Sequence, residues 1–329
     1  MKEPKSLQEA ILYFANPDNC LQYLAARRWR DGVVRCPNCG SDKVAFIPTR
    51  RLWECKSKHP KRQFSAKVGT VMEDSPIKLD KWLLAMWMLA NCKNGVSSWE
   101  LHRTIRVTQK SAWFMLHRLR YALQDETVTK LGYTGGPVEV DETFVGGKIA
   151  NMHKSRALKL RQLCNAVQRP DHYMGKTVVM GMLDRKERKV RATIIPNVKR
   201  DVLQAEILKQ IFGGAKVYTD DATGYMNLVQ KYAHEVVNHM ERYVDGKVHT
   251  NGIENFWSLL KRGLKGTYVA VEPFHLFRYI DEQVFRYNNR QTKDNPLTDA
   301  DRFDLAVSQV VNKRLTYAEL TGKGTETSF

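Results

Sequence analysis

Two pairs of metal-binding residues restrict the N-terminal part of this chain more than any other feature. Cys36 and Cys39 form a Cys-x-x-Cys pair followed by Gly40, and Cys55 and His59 form a Cys-x3-His pair further on. The first pair has the spacing of a knuckle, in which backbone N–H groups face a bound thiolate. Between the pairs, VAFIP and RRLWEC alternate as the two strands of a hairpin do. Three thiols and an imidazole in a small strand-rich unit suit tetrahedral Zn²⁺. A unit of about forty residues buries little core, so a metal is an expected source of its stability. Incidental buried thiols are the plainer alternative. The expected zinc ribbon spans 33–70, with Cys36, Cys39, Cys55 and His59 as ligands. The Cys-x3-His half departs from the Cys-x2-Cys usual in ribbons.

Helices flank this unit. Residues 1–32 form an N-terminal helical segment. Ser6 is placed to cap it with Glu9 reaching back, and Asn16-Pro17-Asp18 breaks it in two. Residues 77–126 read as three helices. LDKWLLAMWMLANCKNG is apolar nearly all round and is expected to stop at Asn94-Gly95. A short helix over SSWELHRTI follows, then a longer one capped by Thr108. Short helix, tight turn and longer helix make a helix-turn-helix pattern. In such a unit Gln109, Lys110 and Ser111 would meet base edges in the major groove. A plain helical hairpin would give the same pattern.

Charge points to the same partner. The 329 residues carry 53 Lys+Arg against 35 Asp+Glu, a net +18. That balance suits a polyanion, most often nucleic acid, although a basic surface alone does not require one. The six cysteines do not form a secreted disulfide framework. The segment MKEPKSLQEAILYF lacks the pattern of a signal peptide, and the apolar run Leu83 to Ala90 is too short to span a bilayer. The chain is expected to be soluble and cytoplasmic, without a membrane partner.

Gly132, Gly135, Gly136 and Pro137 mark the main domain boundary. Beyond it VEVDETFVGG reads as a strand that Asp141 ends, with Glu142 turned to the other side. A basic stretch over 148–176 follows, read as a partly mobile excursion or an arm on DNA. KTVVMGMLDR and KVRATIIP read as a strand pair turning at Lys186-Glu187, and 199–212 as a helix. Next come a strand ending at Asp220 and Asp221, a helix over 226–232, a strand at 235–238, and the amphipathic helix HTNGIENFWSLLKRGLK. PFHLFRYIDEQVFRYNNR is a further helix, and 291–329 forms a C-terminal helical tail. On the HTNGIENFW helix, Asn251, Glu254 and Lys261 lie toward one side, and His249 just precedes it. Taken alone, Glu254 would be an ordinary solvated acid and Trp257 a core residue.

This order of elements is that of the ribonuclease H-like fold, an α/β mixed sheet flanked by helices, over 137–290. Its topology would bring Asp141, Asp220 and the Glu254 helix to one cleft. Converging acids repel unless a cation neutralises them, and hard oxygen ligands select Mg²⁺ or Mn²⁺. Paired ions of that kind support in-line phosphoryl transfer.

Six stretches carry a closer resemblance: CPNC, QFSAKVGT with IKLDKWLLAMWML, VEVDETFVGGK, VYTDDATGY, HTNGIENFWSLLKRGLKGTY and FRYNNR. Together they resemble bacterial insertion-sequence transposases of the DDE superfamily, in the group with an N-terminal zinc ribbon related to the Merlin transposases. The resemblance runs from about residue 20 to 290. It implies metal-dependent nicking and strand transfer of DNA ends, acting on terminal inverted repeats and target DNA. It also implies a nucleoid-associated protein and a homodimer or higher oligomer. The first two acids fall on Asp141 and Asp220. The third ligand is Glu254 or Asn251. The 34-residue separation from Asp220 and the basic Lys261 seven residues later favour Glu254, and Lys261 and Arg262 are expected to contact DNA. Alternative readings are a nuclease that cuts without joining and a DNA-binding regulator with an inactive catalytic domain.

Overall fold

The computed structural model describes residues 2–124, 128–147, 152–166, 175–220, 225, 232–237 and 249–322. The chain divides into two compact units. One comprises residues 1–125 with 289–329, and the other residues 126–288.

The first unit starts with helices α1 (Leu7–Phe14) and α2 (Pro17–Arg28). Ser6 Oγ accepts the Glu9 N–H, as expected of an N-cap. Glu9, however, accepts from the Lys5 N–H and not from Ser6, so the capping box is only half made. Asn16 caps α2 with Pro17 in the first turn, where a missing N–H costs nothing. The strands β1 (Val44–Ile47), β2 (Leu52–Cys55) and β3 (Gln63–Phe64) form a three-stranded antiparallel sheet.

Helix α3 (Leu79–Asn91) is the centre of this unit, with Trp82, Leu83, Met86, Trp87 and Leu89 buried. It ends three residues before the expected Asn94-Gly95 stop, and Gly95 takes its positive φ of 84° in the turn that follows. Helix α4 (Ser98–Ile105) is capped by Ser97 in a capping box with Glu100, and α5 (Gln109–Ala122) carries the expected cap at Thr108.

The segment after residue 289 returns to this unit. Phe303 of α10 (Asp299–Ser308) is fully buried, with ring centroids 4.8 Å from Trp87, 5.3 Å from Tyr23 and 5.8 Å from Phe14. Burying one such ring contributes about 1.5–3 kcal/mol, which holds the returning chain in place. A last short helix, α11, spans Tyr317–Leu320.

The second unit is built on a five-stranded mixed sheet. Its strands are β4 (Val138–Val145), β5 (Thr177–Asp184), β6 (Lys189–Ile195), β7 (Lys216–Asp220) and β8 (Ala233–Val237), in the order β6-β5-β4-β7-β8. The first three pair antiparallel, while β7 and β8 join parallel. This is the ribonuclease H-like arrangement that the order of elements predicts.

Alternation divides the side chains between two layers. Val138, Val140, Met180 and Met182 pack with Leu203 and Ile207 of α7 (Arg200–Gln210). On the opposite face, Val179, Leu183 and Val190 pack with Ile253, Phe256, Trp257 and Leu260 of α8 (Asn251–Gly263) and with Ile280 and Val284 of α9 (Leu276–Asn288). Helix α6 (Lys154–Ala166) occupies part of the basic stretch between β4 and β5. The helix expected over 226–232 lies outside the described residues except for Tyr232, which is buried. Among the described residues, no helix is long and apolar enough to cross a membrane.

Candidate active site and metal centre

β4 does not end at Asp141 as the sequence pattern predicts. It runs on to Val145, because β5 pairs with it along its whole length, from Val138↔Asp184 to Val145↔Thr177. On its other side the pairing is short. Registered pairs with β7 stop at Val138↔Val217 and Glu139↔Tyr218. Two residues further along each strand stand Asp141 and Asp220. Their backbones are thus level at the same end of two adjacent parallel strands, a spacing of about 4.8 Å where strands are paired. Ligand sites of open α/β sheets commonly lie beyond such strand ends. The Asp220 side chain, and Asp221 altogether, lie outside the described residues.

A cleft of about 450 Å³ opens where the pairing stops, lined by Asp141, Glu142, Thr143, Thr250, Glu254, Trp257, Ser258 and Lys261. Positions 254, 257, 258 and 261 follow helical i, i+3, i+4, i+7 spacing, so one edge of α8 forms the helical wall. Alternation predicts that Glu142 turns away from Asp141, yet both line the cleft. Loss of the β7 neighbour beyond Glu139 exposes this end of β4 from its side, so residues of either face can reach the opening. Asn251 is exposed at the start of α8 and is not among the lining residues, nor is the exposed Arg262.

The acids are held in place. Asp141 Oδ1 accepts the Glu142 N–H at 2.8 Å, and its Oδ2 accepts the Trp257 indole N–H at 2.9 Å. Glu254 Oε1 accepts the Thr250 hydroxyl at 3.0 Å. Thr250 is the N-cap residue of α8 but makes no side-chain capping bond. Glu139, only 1% exposed, supplies it instead: its Oε2 accepts the Ile253 N–H at 2.8 Å. A carboxylate at a helix N-terminus satisfies an otherwise unpaired N–H and complements the helix dipole.

Arg185 in turn pairs with Glu139 and donates to the His249 carbonyl. It also donates to His249 Nδ1 at 2.7 Å and lies 4.8 Å over the Tyr218 ring. His249 therefore serves the entry to α8 and does not line the cleft. Sequence reading missed Glu139 and Arg185 in these roles, although an acid between two valines on a strand was a usable signal.

The second centre lies in the first unit. Ligand atoms of Cys36, Cys39, Cys55 and His59 all fall within 4.8 Å of one another. Cys36 Sγ is 3.4 Å from His59 Nε2, and Cys39 Sγ is 3.6 Å from Cys55 Sγ. Tetrahedral bonds of about 2.3 Å to sulfur and about 2.0 Å to nitrogen place neighbouring ligand atoms about 3.5–3.8 Å apart, so the four residues fit zinc. His59 Nδ1 lies 2.7 Å from the Pro60 carbonyl, a contact that leaves Nε2 for a metal. Gly40 closes the knuckle at φ 72°, donating its N–H to the Cys36 carbonyl at 2.8 Å. Burial disfavours the Cys55 thiolate. Hydrogen bonds from His59 and Ser57 outweigh it and bring the thiol down to about 6.

The start of α5 holds the three expected DNA-contacting residues together. Gln109 Nε2 donates to Ser98 Oγ at 2.8 Å, Ser111 Oγ accepts from the Thr108 hydroxyl at 2.8 Å, and the Lys110 ammonium sits 4.9 Å over the Tyr317 ring.

Similarity to known proteins divides along the same lines. Residues 134–288 match the ISXO2-like transposase domain, and 15–57 match the transposase zinc-ribbon domain. The ribbon match stops short of His59, whose place beside Cys36 comes from the structure. Over 263 residues the chain is 27% identical to "Uncharacterized protein in transposable element ISH50" of Halobacterium salinarum (strain ATCC 700922 / JCM 11081 / NRC-1), covering 77% of this chain and 85% of that one. A solved structure, "CryoEM structure of simian T-cell lymphotropic virus intasome in complex with PP2A regulatory subunit B56 gamma", aligns with 59% of this chain and 66% of that chain, just under two thirds of it. The identity is 11% and the TM-score 0.28, too low to support any argument.

Proposed function

Because the chain belongs to the insertion-sequence transposases that couple a transposase zinc ribbon to an ISXO2-like transposase domain, we propose that it cleaves DNA ends and joins them to target DNA in the cleft between β4 and α8. The observation that carries this reading is the meeting of Asp141 and Glu254 in one cleft, with the backbone of Asp220 level with Asp141 on the adjacent strand. Carboxylates gathered in this way offer hard oxygen donors suited to Mg²⁺ or Mn²⁺. In this proposal Asp141, Asp220 and Glu254 hold the cations, which would supply charge neutralisation and an activated water or 3′-hydroxyl for in-line phosphoryl transfer. Glu254 is preferred to Asn251 because it lines the cleft and is an anion.

The remaining residues bind and position. Lys261, two helical turns beyond Glu254, is placed to hold a DNA phosphate at the cleft edge, with Arg262 on the adjoining exposed surface. The Thr250 hydroxyl holds one oxygen of Glu254. In the first unit, Gln109 and Ser111 are proposed to read bases from the start of α5, for which Gln109 would exchange Ser98 for a base edge, with Lys110 on an adjoining phosphate. Two ends cut in concert call for at least a dimer. The test is a joining assay in which a pre-cleaved terminal fragment of the element is incubated with plasmid DNA and Mg²⁺. Joined product is expected. Nicking without joining would support a nuclease, and neither product would support a regulator.

A further inference from the structure

Asp141 and Trp257 are joined by more than packing. The strand partner of Asp141 on β5 is Gly181. A Cβ built at Gly181 would lie 2.5 Å from the Trp257 ring and 2.9 Å from Ile253 Cδ1. The missing side chain therefore opens a slot beside Asp141, and the indole fills it. Trp257 is 4% exposed and packs 5.1 Å from the Phe256 ring, so it has little freedom to leave. From this slot its N–H reaches Asp141 Oδ2 at 2.9 Å, while the Glu142 N–H holds Oδ1 at 2.8 Å. Both carboxylate oxygens are thus fixed by N–H donors, one from the strand and one from the helix that carries Glu254. A core tryptophan needs only some acceptor for its N–H. Here that acceptor is the acid of the cleft.

We infer that Trp257 is a positioning residue for divalent cation binding: its indole N–H sets the rotamer of Asp141 and ties it to the helix bearing Glu254. The inference rests on the proposed function, in which Asp141 is a ligand. Each carboxylate oxygen has two lone pairs, so a donor on one is compatible with a cation on the other. An aspartate held in one rotamer does not lose rotational freedom when the cation arrives. Releasing it lowers affinity, and partners that orient metal ligands are typically worth about 10–100-fold. Gly181 and Trp257 form one device, since any side chain at 181 would displace the ring.

The test is Mn²⁺ binding to the full chain, followed by electron paramagnetic resonance without DNA, with thermal unfolding measured in parallel. Four proteins are compared: the native chain, Asp141→Asn, Trp257→Phe, and a chain with 3-benzothienylalanine at 257, which keeps the bicyclic shape and carries sulfur in place of N–H. Native protein is expected to bind Mn²⁺ and Asp141→Asn to lose it. Both position-257 variants are expected to bind about ten-fold more weakly, with the benzothienyl chain unfolding at the native temperature. If the benzothienyl chain binds within two-fold of native while Asp141→Asn does not bind, the N–H has no such role and the inference fails, leaving the proposed function standing. If Asp141→Asn binds as the native chain does, Asp141 is not a ligand and both readings fail.

Discussion

Glu139 Oε2 accepts the main-chain N–H of Ile253 at 2.8 Å, so a buried strand acid caps the helix whose next residue is Glu254. The bond fixes where α8 begins relative to β4. It does so two residues before Asp141 on one element and one residue before Glu254 on the other. Arg185 completes the arrangement by pairing with Glu139 from the end of β5.

Removing one partner of that pair should be costly. Glu139→Ala removes the carboxylate that pairs with Arg185 and accepts the Ile253 N–H, and breaking a buried pair typically costs about 3–5 kcal/mol. The milder Glu139→Gln should fall well below that. Urea unfolding monitored by tryptophan fluorescence checks both. Equal stability for Glu139→Ala and the native protein would mean that the cap is idle.

Gly252→Ala should also destabilise the second unit. Its Cβ would come within 2.4 Å of Leu183 Cδ2 and 2.8 Å of Glu139 Oε2, at a site where both neighbours are buried. Overpacking of this kind costs about 1–3 kcal/mol. The loss should appear in the same urea titration, and DNA joining should fall further than the unfolded fraction explains, because the start of α8 moves with it.

In the ribbon, zinc content should be one ion per chain by mass spectrometry under native conditions, and Cys39→Ser should lose it. Metal-free protein offers a second check. The Cys55 thiol falls from an ordinary value of 9.0 to about 6. A depressed folded value stabilises the fold above the unfolded value and loses that contribution as pH drops through about 6. Thiolate absorbance near 240 nm should therefore be lost as pH falls through about 6, and His59→Ala should move its midpoint upward.

DNA binding by the first unit is expected to depend on the start of α5. Lys110→Ala should weaken binding across sequences and reduce the salt slope by about one, as loss of a phosphate contact does. Gln109→Ala should instead relax sequence preference, whereas Ser98→Ala, which releases Gln109, should leave affinity nearly native. Fluorescence anisotropy at several salt concentrations separates these outcomes.

Much of this architecture is legible from local pattern. The ribbon ligands declare themselves by residue type and spacing, and the fold class follows from the order of strand and helix periods along the chain. The caps at Ser6 and Thr108 follow from residues that favour such positions. What local pattern does not carry is pairing across the fold. Alternation along β4 turns Glu142 away from Asp141, but only the shortness of the β4–β7 pairing explains why both reach the cleft. Trp257 reads as core, and it is core. Its bond to Asp141 depends on Gly181, 76 residues earlier in the chain. Likewise, nothing within α10 says that Phe303 packs against Trp87.

The most direct test of the central claim is the joining assay repeated with Asp141→Asn, Asp220→Asn, Glu254→Gln and Asn251→Ala, each first shown to be folded. Joined product in Mg²⁺ should disappear with the first three and persist with Asn251→Ala. Joining at the native rate by Asp220→Asn or Glu254→Gln would contradict the account.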